Sequence, residues 1–286
     1  MKTKRLLYVG ICIIVSVLFS IPVMAAYKQL NPYEGELAER CTVNGAVFSV
    51  TSKSYTVKSL AVTKNGQTHT LSTKYDGGII SDGKTAYFCE IRSGKWCLCK
   101  ANISTGKVIK IKPLAGKKNR ITLEGIYKNK IYYIKNMPEG DLYCINLKTK
   151  KVKRLLPKKC VSSAQQIKQY FVMSDGTGAG FSYLGVYNAK NGKFSTVSKN
   201  PFTWTITSKY IYYVEGIGNV YMGSFQPKNV TVKRYTLSSK KKKTLVKTLT
   251  IQYTSGMGFQ TGADAGITTN SLKYYDKNGK KKTKRW

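Results

Sequence analysis

"NKIYYIKNMPEGDLYCINLKTKKVKRLL", residues 129–156, sets two aromatic and aliphatic bursts around a polar connection and then runs into lysines. Ile, Tyr, Val and Leu in short runs bounded by Asn, Gly, Asp and Pro spell strands. The stretch predicts a second strand at 130–136, a third at 141–147 and a fourth at 151–156, with "RITLEGIY" (120–127) as the first. The connection between the third and fourth is the lysine-rich "KTK".

The same phrase recurs along the chain. Aligned on the lysine-rich turn, the copies read "AVTKNGQTHTL" (61–71), "ANISTGKVIKI" (101–111), "INLKTKKVKRL" (145–155), "YNAKNGKFSTV" (187–197), "YTLSSKKKKTL" (235–245) and "YYDKNGKKKTKRW" (274–286). With Gly66, Gly106, Lys150, Gly192, Lys240 and Gly279 as equivalents, the steps are 40, 44, 42, 48 and 39 residues. Four strands per step of that length is the signature of a propeller blade, whereas helical repeats of similar length need a 3.6-residue apolar period. The expected fold class is all-β, a six-bladed β-propeller of four-stranded antiparallel blades. Where the turn reads "NG" or "TG", glycine supplies the positive φ that a tight hairpin demands.

The second strands, "AVFSV" (46–50), "AYFCE" (86–90), "IYYIK" (131–135), "YFVMS" (170–174) and "YIYYVE" (210–215), do not alternate apolar with polar. A sheet with one wet face would alternate. Cover on both faces, by the blades on either side, explains the pattern, and tyrosine fills such a gap while its hydroxyl reaches a partner at the margin. The last copy is atypical: "TIQYTSGMGFQTGADAGITTNSLKYY" (250–275) lacks a clean aromatic second strand. Its inner half is expected to be either irregular or completed by the N-terminal segment 27–40. The domain reading is a signal peptide at 1–25, an N-terminal segment at 26–40 and the propeller at 41–286.

"NKIYYIKN" with "GDLYCINLKTKKVKRL", and "SKYIYYVEG" with "VKRYTLSSKKKKTLV", resemble the exported bacterial propellers of unknown function that are similar to the YWTD-type six-bladed propeller of the low-density-lipoprotein receptor. The resemblance spans about residues 41–286 and is one of pattern. Where YWTD blades carry Tyr-Trp-Thr-Asp, this chain has Tyr132-Tyr133-Ile134-Lys135 and Tyr212-Tyr213-Val214-Glu215. The resemblance implies the fold and export; it names no activity.

The chain opens "MKTKRLLYVGICIIVSVLFSIPVMAAYKQ" (1–29): a basic start at Lys2, Lys4 and Arg5, an uncharged apolar run from Leu6 to Val23, then small residues. That is a secretory signal, with cleavage expected after Ala25. The alternative is an uncleaved anchor at 6–23, which approaches spanning length. Cleavage predicts a secreted, extracellular protein, held at the cell wall if its charge holds it there, with no membrane span afterwards. Removing Lys2, Lys4 and Arg5 from the net +36 leaves +33. Such a protein is drawn to polyanions, over a range of about 8 Å at physiological salt. The expected partners are an anionic cell-wall polymer, or a protein or peptide ligand on the axial loop face. No specific nucleic acid is expected, because no aromatic–basic recognition motif stands out.

Catalytic signals are thin. The single histidine, His69, lies in "GQTHTL" on a predicted outer strand and reads as a surface residue. G-x-S-x-G, H-E-x-x-H and P-loop patterns are absent from the sequence. The 13 Asp and Glu residues are scattered without calcium-loop spacing. "SDGTGAGF" (174–181) reads as a flexible loop between the second and third strands, without a helix terminus, and "SDGKTAYF" (81–88) as a β-turn. Cys41, Cys89, Cys97, Cys99, Cys144 and Cys160 match no zinc spacing; they read as buried small hydrophobes, with a hairpin bridge from Cys89 to Cys97 or Cys99 as an option. No catalytic residue, cofactor or metal site is therefore expected.

The functional expectation is a secreted, strongly basic, non-catalytic binding or scaffold propeller at the bacterial surface that adsorbs to anionic envelope polymers. The alternative is a propeller-type enzyme acting on glycans or peptides through an axial carboxylate site. A ligand is expected over the loops at 52–54, 91–95, 135–141, 174–180, 215–219, 113–120, 157–166 and 198–203, because binding residues concentrate on loops carried by a rigid frame.

Overall fold

The computed structural model describes residues 28–30, 40–54, 57–135, 140–157, 159–177, 180–216, 228–251 and 266–286. Among these residues every regular element is a strand. The expected signal peptide lies outside them.

The strands fall into consecutive antiparallel units. The first unit is β2 (Arg40–Val43), β3 (Ala46–Ser54), β4 (Val57–Lys64) and the first half of β5 (Gln67–Ser81). The second is the remainder of β5 with β6 (Thr85–Arg92), β7 (Lys95–Asn102) and β8 (Val108–Gly116). Next come β9 (Ile121–Tyr127), β10 (Lys130–Lys135), β11 (Asp141–Asn146) and β12 (Val152–Arg154). The fourth unit is β13 (Ser163–Ile167), β14 (Tyr170–Thr177), β15 (Gly180–Asn188) and β16 (Lys193–Ser198). The fifth is β17 (Pro201–Ile206), β18 (Tyr210–Gly216), β19 (Lys228–Thr236) and β20 (Lys242–Ile251). The last is β21 (Gly266–Ile267), β22 (Ser271–Tyr275) and β23 (Lys281–Arg285).

The first two units share β5, so they form one sheet where separate blades were expected. Gln67–Ser72 of β5 pairs with β4, and Tyr75–Ser81 pairs with β6 after a break in register. Between Leu71 and Tyr75 the sequence is "STK". The strand runs through it and on through Gly77 and Gly78, where the register with β6 shifts.

The second strands behave as their composition requires. Tyr133 turns into a core shared with the second unit, with Ile80, Leu98 and Leu123, and stacks on Tyr143 at 5.6 Å. Its neighbour Tyr132 turns the other way, against Phe171 and Met173 of the fourth unit, with the Phe171 ring 4.4 Å away. Each such buried side chain contributes about 1.5–3 kcal/mol of burial free energy. Further cores fill the gap between the first two units around Phe48 and Phe88, between the fourth and fifth around Leu184 and Tyr213, and between the fifth and last around Val214 and Leu272.

The third-to-fourth turns confirm the positive φ inferred from sequence. Gly66, Gly106 and Gly192 sit at φ 78°, 68° and 72°, and Lys150 and Lys240 take the same position at 58° and 60°.

The last copy needs correcting. The main-chain N–H after each third strand donates to the preceding first-to-second turn: Ile103 to Lys84, Leu147 to Asn129, Ala189 to Gln169 and Leu237 to Lys209. Trp286 makes that bond to Asn270. β23 is therefore a third strand, and the turn at 276–280 joins a second strand to a third. Gly279 is not equivalent to Gly66; the shared "NG" misled the alignment. Residues 28–30, strand β1 (Lys28–Leu30), do not complete the last unit either. They pair with Ile79–Ser81 on the free edge of β5.

Candidate functional site

Strand register divides the assembly into two ends. One carries the second-to-third hairpins and the connections between units. The other carries the first-to-second and third-to-fourth turns. Most of the loops expected to form a ligand face lie at the hairpin end. There Gly140 and Val161 exchange main-chain hydrogen bonds at 3.3 and 2.7 Å, and the Gly216 N–H donates to the Asn200 carbonyl at 3.1 Å. Several expected loops are shorter than read: 52–54 lies wholly within β3, β8 continues to Gly116, β14 continues to Thr177, and β17 begins at Pro201, so "PFTW" is strand. The "NMPE" part of "KNMPEGD" lies outside the described residues.

The hairpin end gathers the acids. Thr85, Lys130, Tyr170 and Tyr210 occupy one position, each paired with the residue that closes the third strand. Five residues on from them stand Glu90, Lys135, Asp175 and Glu215. This spacing was visible in the sequence once the second strands were aligned on their first residue; three of the four residues at it are acids and the fourth is Lys135.

Glu90 is buried. The Ser72 hydroxyl donates to its Oε2 at 2.7 Å, the Cys99 thiol approaches its Oε1 at 3.3 Å, and the Arg92 guanidinium pairs with the same oxygen. Burial, followed by the neighbouring Glu90 charge and hydrogen bond, pushes the Cys99 thiol up to about 12. Burial likewise raises Cys89 well above its ordinary value. These thiols are protonated at neutral pH and are not nucleophiles. The pleat puts Cys89 in one core and Cys99 in the opposite one, and Cys89, Cys97 and Cys99 are all free thiols, so neither optional hairpin bridge, to Cys97 or to Cys99, is formed. Cys89, Cys97, Cys99 and Cys144 are buried free thiols, and Cys160 is an exposed one.

The other acids have structural employment too. Glu124, buried at a bulge in β9, accepts the Ala164 N–H of the next unit at 3.2 Å. Asp141 accepts from Arg154 at 2.8 Å and Glu215 from Lys233 at 2.9 Å. Main-chain N–H groups of Lys280 and Asn278 hold Asp276 below the usual carboxylate range. Lys159 lies over the rings of Tyr183 and Phe194 at 5.3 and 5.2 Å.

At the turn end His69 meets the Ser104 carbonyl at 3.2 Å and packs against Gly106, as a half-buried outer-strand residue. Asp82, in the "SDGK" turn, accepts the N–H groups of Lys84 and Thr85 at 2.9 and 2.7 Å. The turn reading of that stretch holds. "SDGTGAGF" pairs back on itself as a hairpin through Gly176–Phe181 and Thr177–Gly180. Among the described residues, no cluster of His, Cys, Asp and Glu could hold a metal. No helix among them is long and apolar enough to cross a membrane.

The blade-like sheets, each laid on the next, define a β-propeller fold, and the solved structures the chain resembles are propeller proteins. An oligogalacturonate lyase from Vibrio parahaemolyticus is 11% identical, with 84% of this chain and 74% of that one covered and a TM-score of 0.50. Prolyl oligopeptidase B from Galerina marginata is 11% identical, with 87% of this chain and 38% of that one covered, also at 0.50. TolB from Acinetobacter baumannii is 16% identical at a TM-score of 0.43. The chain spans 63% of TolB and well under half of the peptidase. No family model matches the chain, and no curated protein matches it. At these identities the likeness carries the fold alone.

Proposed function

We propose that this chain is an exported, non-catalytic binding module whose six blades close into a ring, and that it holds anionic polymers of the cell envelope by charge. The observation that supports it most is the imbalance between 49 Lys and Arg and 13 Asp and Glu, of which the buried Glu90 and Glu124 and the paired Asp141 and Glu215 are already engaged within the fold. With 13 acids against 49 bases, most of the basic side chains cannot be neutralised within the fold. An enzyme reading needs two unengaged carboxylates from different blades, and the engagement of these acids argues against it.

The test is retention on purified cell-wall material across a salt gradient. Release should rise steeply with ionic strength, because each lysine–anion contact displaces a condensed counterion. Retention that is the same at low and high salt removes charge as the cause.

A further inference from the structure

The two ends of the sheets differ in their acids. Among the described residues Asp76, Glu90, Asp141, Asp175, Glu215 and Asp276 stand at or beside the hairpin end, and Glu124 is buried in mid-strand. At the turn end the described acid is Asp82, whose carboxylate is taken up by two main-chain N–H groups. The same end presents exposed lysines at recurrent turn positions, among them Lys107, Lys148, Lys151, Lys190, Lys193 and Lys241. No carboxylate stands within ion-pair distance of these six among the described residues.

We infer that the turn end, and not the loop-bearing hairpin end, is the docking face, and that its ligand is a flexible linear polyanion of the polyphosphate or polyol-phosphate kind. The inference rests on the charge-driven binding proposed above and adds where it occurs and what it takes. Main-chain N–H groups of these turns are occupied and do not cradle a single small anion: Asn102 Oδ1 accepts from Ser104 and Thr105, and Asn146 Oδ1 from Lys148 and Thr149. What the face offers is ammonium groups spread over successive turns, each a mobile point charge without the planar fork of arginine. Such a surface reads charge density along a chain and not the shape of one group. The turn tips "TKNG", "STGK", "KTKK" and "SSKKK" carry no large apolar side chain to insert into a bilayer, which disfavours a lipid surface.

The experiment uses the whole mature chain and long-chain inorganic polyphosphate as the probe, with binding followed by salt titration. One variant carries Lys148→Glu, Lys151→Glu, Lys190→Glu and Lys193→Glu. Its control carries Lys74→Glu, Lys95→Glu, Lys117→Glu and Lys118→Glu, exposed positions at or near the hairpin end with the same change in net charge. The turn variant should lose affinity by about tenfold or more, and its salt slope should fall by about one per lysine in contact. The control should lose far less. Equal loss in both overturns the assignment of the face while leaving charge-driven binding intact. No salt dependence in the unaltered protein overturns the underlying reading instead. Vesicles of phosphatidylglycerol and phosphatidylcholine form the last arm, and binding to them as tight as to polyphosphate overturns the choice of a linear polymer. Circular dichroism of both variants establishes that they fold.

Discussion

The side-chain amide of Gln166 pairs with the main chain of Ile126 as one strand pairs with another. Its Oε1 accepts the Ile126 N–H at 2.8 Å and its Nε2 donates to the Ile126 carbonyl at 2.7 Å. Gln166 lies on β13 and Ile126 on β9, so a single side chain supplies hydrogen bonds between two sheet units that share no main-chain ladder at that point. Nε2 also donates to the Lys168 carbonyl at 2.7 Å, which fixes the rotamer. The clamp lies directly on Gly125, where any Cβ would overlap Gln166 Oε1 and meet the Phe171 ring at 2.8 Å.

Gln166→Ala should therefore destabilise the fold by about 1–3 kcal/mol, because it leaves main-chain groups at a partly buried seam without partners. Gly125→Ala should cost a comparable amount, about 1–3 kcal/mol, through overlap. Urea melts read both. The double variant should cost less than the sum of the singles, since removing the amide makes room for the methyl. Strict additivity would show that the two positions do not meet.

Tyr213 tests the opposite case. Its ring is fully buried between the fourth and fifth units, yet its hydroxyl is buried without a hydrogen-bond partner among the described groups. A buried polar group left unsatisfied costs about 1–3 kcal/mol, so Tyr213→Phe should be neutral or stabilising. Loss of more than about 1 kcal/mol in the same melt would reveal a partner for that oxygen, such as a buried water.

Alkaline pH should unfold the protein from inside. Burial raises Tyr132, Tyr133, Tyr183 and Tyr213 above the ordinary 10.0, and it raises Cys99 from 9.0 to about 12. A folded-state pKa above the unfolded value means that the folded state holds the proton more tightly. The associated stability is complete below the unfolded pKa and is lost as pH climbs through the folded one. Loss should begin near pH 9 and steepen beyond 10. Absorbance at 295 nm should show the buried tyrosines ionising only together with the circular-dichroism transition. A single reversible phase near pH 10 with the fold intact would contradict this.

The fold was legible where local chemistry repeats and illegible where it coincides. The double aromatic of Tyr132 and Tyr133 announces cover on both faces, and the turn glycines announce hairpins, because both are consequences of one strand and its immediate neighbours. The run of β5 through "STK" is the absence of a signal, and absence is easily overlooked. The last "NG" was misassigned because that dipeptide makes any tight hairpin, whether it joins the third strand to the fourth or the second to the third. Glu90 shows the limit for site residues. Its partners Ser72 and Cys99 come from two other strands, and only register brings them to one carboxylate. A ligand face on the loops is expected because binding residues concentrate on loops carried by a rigid frame; the uneven distribution of acids appears only once each has been assigned to an end.

Lys150 provides the last test, at the level of a single turn. It holds the left-handed position that glycine holds at 66, 106 and 192, with φ 58°. An L side chain in that region costs roughly 1–2 kcal/mol from the approach of Cβ to its own carbonyl. Glycine escapes that penalty but loses more chain entropy on folding, by roughly 0.5–1 kcal/mol. Lys150 recovers part of the deficit, since its Nζ donates to the Leu147 carbonyl at 2.6 Å. Lys150→Gly should then raise stability only slightly, by roughly 0.5 kcal/mol or less, a shift of a degree or two in the melting midpoint. The same substitution removes one ammonium from the turn end, so affinity for polyphosphate should fall slightly while stability rises. The opposed directions separate the two roles of the residue, and a protein that becomes both less stable and unchanged in binding would mean that the side chain serves the turn alone.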